Sequence, residues 1–220
     1  MRKGQRMERR IFARFGISVG GIAIAAVLYG SAARADEYSR ADEYSRDDQY
    51  SRANEYSQIL RGYKIISEIF PKKTKLNFTG KDLALVGLGS YLVNSTGCND
   101  CHTHPNWAPG HNPYMTGQTK QINTAAYLSG GRQFFKSDGT LLTTSANITP
   151  DKVTGRPAGL TLAGFLQVMR TGHDPRDQPG DILLVMPWPL YQWKTQRDLT
   201  AMYEYLQVIP HVDDNTMPGP

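Results

Sequence analysis

Cys98-Asn99-Asp100-Cys101-His102 is the stretch on which the reading of this chain turns. Two thiols separated by two residues, followed at once by an imidazole, have the spacing of a c-type haem attachment site. The chemistry requires it. Both thiols must reach the two vinyl groups along one edge of a porphyrin, while the adjacent imidazole turns beneath the ring to the iron. A zinc site would need two further ligands, and with no other cysteine in 220 residues it would draw on His104, His111 or His173 at no established spacing. A thioredoxin-like pair sits after a strand in a βαβ unit, and no such alternation surrounds this one. The motif therefore implies one covalently attached haem c, held by Cys98 and Cys101 and ligated by His102.

Working upstream, Thr79-Gly80-Lys81-Asp82 has capping-box spacing and opens an apolar run from Leu83 to Val93. This predicts a helix closed by Asn94-Ser95-Thr96-Gly97, with the folded domain beginning near Thr79. Before it, Ile59, Tyr63, Ile66 and Phe70 share one helical stripe that Pro71 ends. Earlier still the chain repeats every six residues: Asp36-Glu37-Tyr38-Ser39-Arg40, Asp42-Glu43-Tyr44-Ser45-Arg46, Asp48-Gln49-Tyr50-Ser51-Arg52, then a worn copy, Asn54-Glu55-Tyr56-Ser57. A period of six spreads the tyrosines over three directions on a helix, so they form no single apolar face. Asp36 with Arg40, Asp42 with Arg46 and Asp48 with Arg52 are favourable i,i+4 pairs, which suits a solvated, partly helical spacer. Residues 36–58 carry seven acids and three arginines, a pattern that would also suit a docking tail. Residues 36–78 are thus expected to be a repeat-containing linker and an amphipathic segment.

The N-terminus is a basic stretch from Met1 to Arg14, an apolar run from Phe15 to Gly30, and small residues ending in Ala33-Arg34-Ala35. This is the order of an export signal, cut after Ala35, and it makes residues 1–35 a signal peptide and the location periplasmic. The apolar run falls short of the roughly 20 residues that cross a bilayer, so membrane association would require the segment to be retained as an anchor. Arg9-Arg10-Ile11-Phe12 also resembles a twin-arginine export motif. The formal charge is +5, yet the first 35 residues hold seven basic residues and one acid. The rest carries 18 against 19, so charge gives no support to a nucleic-acid partner.

Downstream, Ser137-Asp138-Gly139 stands between Arg132 to Lys136 and Thr140 to Thr144 and predicts a hairpin. Thr161 to Arg170 predicts a helix ended by Gly172, and Thr195-Gln196-Arg197-Asp198 has the spacing that caps a last helix carrying Tyr203, Tyr205 and Leu206. The fold class is all-α with one small β-hairpin. Candidates for a sixth iron ligand are Met115, Met169, Met186, Met202, His104, His111 and His173. Met169 shares a helical core stripe with Leu162, Phe165 and Leu166, and Met202 lies in a similar pattern. Met186 is favoured because Val185-Met186-Pro187-Trp188-Pro189 carries two prolines, expected to forbid regular helix and hold the segment extended.

From about Gly80 to Pro210 the chain resembles a class I cytochrome c, and more narrowly the single-haem cytochromes, or cytochrome subunits, associated with periplasmic dehydrogenases. The likeness rests on Cys98-Asn99-Asp100-Cys101-His102, Asn147-Ile148-Thr149-Pro150-Asp151, Met186-Pro187-Trp188 and Asp198-Leu199 through Tyr205-Leu206, in that order. It implies a class I cytochrome c fold over 79–210 with a C-terminal tail at 211–220, and His102 and Met186 as axial ligands. It also implies haem-pocket roles for Asn147, Ile148 and Trp188, and a crossing of the first and last helices at Gly87, beside Tyr91. The chain departs from the family at Arg156-Pro157-Ala158-Gly159, where a Gly-x-Gly followed by an aromatic is more usual. The expected function is electron transfer rather than catalysis: single electrons pass from a dehydrogenase or quinol-oxidising complex to a terminal oxidase or another cytochrome, and these redox proteins are the partners. The competing expectation is a haem enzyme or gas sensor, peroxidase-like, with His173 or His111 at a displaceable sixth site.

Overall fold

The structure is a computed structural model describing residues 48–215. The export-type segment and the first two copies of the repeat lie outside the described residues. The chain divides into two units, 1–52 and 53–220. Of the first, residues 48–52 are described, and they are helical and exposed. Among the described residues no helix is long and apolar enough to cross a membrane.

The second unit is mainly helical. Its helices are α1 (53–69), α2 (Leu83–Ser95), α3 (Cys98–His102), α4 (Leu162–Thr171), α5 (Trp188–Tyr191) and α6 (Gln196–Val208). One antiparallel hairpin, β1 (Gln133–Phe135) and β2 (Leu141–Thr144), interrupts them. It forms where Asp138-Gly139 predicts it. Asp138 accepts from the backbone N–H of Thr140 (2.9 Å), and a bulge between Phe134 and Phe135 breaks the register.

Helix α2 starts at a different cap from the expected one. Asp82, not Thr79, is the N-cap: its carboxylate accepts from the N–H groups of Ala84 (2.8 Å) and Leu85 (3.2 Å). Thr79 and Gly80 form a turn ahead of the helix, so the capping-box spacing there is coincidental. The last helix does carry the box. Thr195 Oγ1 accepts from Asp198 N–H (3.0 Å), and the Asp198 carboxylate accepts from Thr195 N–H (3.0 Å). Helix α4 is capped by Thr161 and ends at Gly172, as the sequence predicts.

Helices α2 and α6 pack across each other, but the glycine at their contact is Gly89 rather than Gly87. A Cβ on Gly89 would overlap Ala201 O and lie 2.8 Å from Tyr205 Cβ. Gly87 instead meets α1, where a Cβ would lie 2.8 Å from both Ile59 Cγ2 and Tyr63 Cε2. Two positions along a helix turn about 200°, so neighbouring glycines can admit two different helices on opposite faces.

The folded unit consequently begins well before Thr79. Ile66, Ile69 and Phe70 are buried in the same core as Val86, Leu88 and Val93 of α2 and Leu199, Met202, Tyr205 and Leu206 of α6. The amphipathic segment expected to belong to a linker is a core helix. Its upstream turn, from the worn repeat, adds an ion pair between Glu55 and Arg197 of α6 (2.7 Å). Polar groups inside the core are satisfied: the Tyr127 hydroxyl donates to Asn94 Oδ1 (2.9 Å) and lies 2.9 Å from the hydroxyl of Tyr205.

Candidate functional site

Helix α2 delivers the chain to the cysteine motif through a tight reversal. Thr96 closes the helix, and Gly97 takes φ +82°, a conformation a side chain disfavours, so that α3 turns off in a new direction. The five residues Cys98 to His102 form a single helical turn. That geometry places Cys98, Cys101 and His102 around one cavity of about 400 Å³.

The walls of this cavity are predominantly apolar. Val93 comes from α2, Phe134 from β1, Phe165 and Val168 from α4, Leu183 to Pro187 from the loop before α5, and Leu206 from α6. Its volume lies in the range of small-molecule and cofactor sites. Burial pushes the Cys98 thiol up to about 11. Cys101 is raised in the same way, against the opposing pull of the Arg132 guanidinium. The two sulfurs are not joined in a disulfide.

His102 is oriented by a backbone group. Its Nδ1 stands 2.7 Å from Ala146 O, and because a carbonyl can only accept, Nδ1 carries the proton. The lone pair is then on Nε2, the arrangement a metal-ligating imidazole needs. Burial holds the ring's pKa below the usual histidine value, with the Ala146 bond opposing, so the imidazole is neutral at pH 7. The backbone of His102 is gripped as well, since Gly130 N–H donates to His102 O (2.7 Å).

Three methionines, Met169, Met186 and Met202, line the cavity. Met115, His104, His111 and His173 are absent from its lining, and Met115 is exposed. His111 Nδ1 pairs with Thr119 Oγ1 (2.9 Å) and His173 Nδ1 donates to Asp181 O (2.6 Å). Met169 and Met202 are fully buried on helices, whereas Met186 sits half-buried in a bend. The expectation that Pro187 and Pro189 keep this segment extended is corrected. Pro187 is the N-cap of α5 and Pro189 lies in its first turn, where a missing N–H removes no helical hydrogen bond.

Of the residues attached to the pocket by resemblance, Ile148 lines the cavity. Trp188 does not; its indole lies against Gly172. Asn147 does not either. Its amide donates to Val212 O (2.8 Å) and Asp214 (3.1 Å), and its Oδ1 accepts from Thr149. Sequence reasoning missed Tyr191, a cavity wall whose hydroxyl donates to Thr96 O (3.1 Å), and Ala146, whose contribution is a carbonyl. Tyr191 stands in a Pro-bounded segment without clear periodicity, and a carbonyl leaves no mark in a side-chain pattern.

Beside the cavity is a polar cleft of about 550 Å³ that shares Thr144, Ser145, Ala146, Ala158 and Arg176 with it. Arg176 is held there by a bidentate pair with Asp174, which keeps that carboxyl below its usual range.

Comparison with models of protein families, with curated proteins and with solved structures finds no match.

Proposed function

We propose that the chain holds one haem c, bound through Cys98 and Cys101 and ligated by His102 and Met186, and works as an exported one-electron carrier with a class I cytochrome c fold. The observation that carries this reading is the convergence of both thiols and a histidine with a free Nε2 on one apolar cavity. The residues fit the group: neither sulfur is tied up in a disulfide, so both are at the oxidation level from which a thioether to a vinyl group forms, and the apolar walls would exclude water from a porphyrin face. Bound there, a haem supplies a reversible one-electron couple. The Ala146 bond leaves Nε2 of His102 as the nitrogen that would ligate iron and raises its basicity. A thioether from Met186 would raise the potential and fill the position that a small gaseous ligand needs. No side chain is asked to move a proton, and neither His111 nor His173 lines the cavity to serve a peroxidase-like alternative.

The proposed donors are a dehydrogenase or quinol-oxidising complex, and the acceptors an oxidase or another cytochrome, in the periplasm. Carbon monoxide tests the reading on the exported protein. A haem spectrum that is resistant to CO at neutral pH supports the carrier. Rapid, complete carbonyl formation would assign the chain to the enzyme or sensor class instead.

A further inference from the structure

The segment 211–215, expected only as a tail, is bonded to both stretches of chain that hold His102, one at its ring and the other at its backbone. On one side Asn147 donates to Val212 O (2.8 Å) and Asp214 (3.1 Å), and Thr149 Oγ1 accepts from Val212 N–H (3.2 Å). On the other, Asn215 donates from its backbone to Ser129 O (3.3 Å) and from its amide to Gly130 O (3.3 Å) and His104 O. These two stretches grip His102. Gly130 N–H donates to its carbonyl, and Ala146, next to Asn147, accepts from its Nδ1. The brace has a distinctive fastening. His211 Nδ1 lies 2.7 Å from Pro150 O, and Nε2 lies 3.0 Å from the Asp213 carboxylate. A carbonyl and a carboxylate both accept, so both ring nitrogens must donate, and in this geometry the ring is an imidazolium.

We propose that residues 211–215 brace the two stretches that hold His102, and that His211 latches the brace by bridging Pro150 O and the Asp213 carboxylate, which it can do only while it carries both protons. The proposal rests on the reading of His102 as an iron ligand. The charged groups around His211 are Asp213, Asp151 and Lys152, with Asp214 and Arg176 lining the same cleft, and of these Lys152 and Arg176 disfavour the cation. The Pro150 and Asp213 bonds hold the ring's pKa above the ordinary histidine value. A raised folded pKa means that the latch is fully made below the ordinary value and is lost as pH rises through the raised one. The neutral ring has one N–H, so it can no longer bridge Pro150 O and the Asp213 carboxylate at once: one contact then sets a ring lone pair against an acceptor, the fastening at Pro150 slackens, and with it the loop that presents Ala146 O to His102.

Amide hydrogen exchange on the exported protein tests this, with midpoint potential as a second readout. Corrected for intrinsic rates, protection of the Gly130 and Ile148 amides should fall severalfold between about pH 5.5 and about pH 8.5 in the wild type and stay level in His211→Gln. The midpoint potential should show a step over the same interval that His211→Gln flattens. Asp213→Asn removes the carboxylate and should move both steps to lower pH. A step that persists in His211→Gln, or one that Asp213→Asn leaves in place, overturns the proposal. A protein exported without haem would sink the ligand reading of His102, yet the exchange measurements would still decide whether the brace exists.

Discussion

The proton on His102 Nδ1 is taken by a carbonyl that almost any residue at position 146 would present, and the geometry of the loop, not the identity of Ala146, puts it there. The same scale holds the question of the sixth ligand, because three thioethers line one cavity. On the proposed haem reading, Met186→Ala should leave the haem covalently attached, lower the midpoint potential and abolish the Met-to-iron charge-transfer band. Persistence of that band would move the ligand to Met169 or Met202. Tyr127 belongs to the scaffold rather than the chemistry. Tyr127→Phe deprives both Asn94 Oδ1 and the Tyr205 hydroxyl of a partner in the core, and should cost about 1–3 kcal/mol of stability, read as a lower urea midpoint with an unchanged visible spectrum.

At the scale of elements, α2 is held between α1 and α6 by two glycines on opposite faces. Leu206 on α6 and Val93 on α2 also wall the cavity, so the crossing that builds the core shapes the site. Gly89→Ala places a methyl against backbone of α6, where no rotamer can yield. It should destabilise the protein by about 3 kcal/mol, seen in the thermal unfolding midpoint, and lower the yield of haem-loaded protein.

Across the whole molecule, the start of the folded unit is testable by truncation. A chain beginning at residue 53 keeps α1 and every residue of the cavity wall, and should retain the spectrum and midpoint potential of the longer protein. A chain beginning at Thr79 loses Ile66, Ile69 and Phe70 from the core, each worth about 1.5–3 kcal/mol when fully buried, and should fail to fold by circular dichroism. Loss of Glu55 alone should matter little, since its pair with Arg197 is half-exposed and worth under about 1 kcal/mol.

What the sequence determined by itself was local. The single turn that groups Cys98, Cys101 and His102, the Asp138-Gly139 hairpin, the Thr195 box and the Gly172 stop each depend on neighbours within a few residues, so their local geometry can be read along the chain. The cap at Asp82 was misread because two acceptable caps stand three residues apart and only the path of the preceding turn chooses between them. The tertiary structure alone decided which glycine meets which helix, that Ile66, Ile69 and Phe70 are core, and that Asn147 bonds the C-terminal segment while Ile148 lines the cavity. It also decided that Ala146 supplies the acceptor for His102 and that three methionines converge on one space. Each of these depends on residues tens of positions apart meeting in space, and on backbone carbonyls or the absence of a Cβ, which carry no signature in the order of side chains.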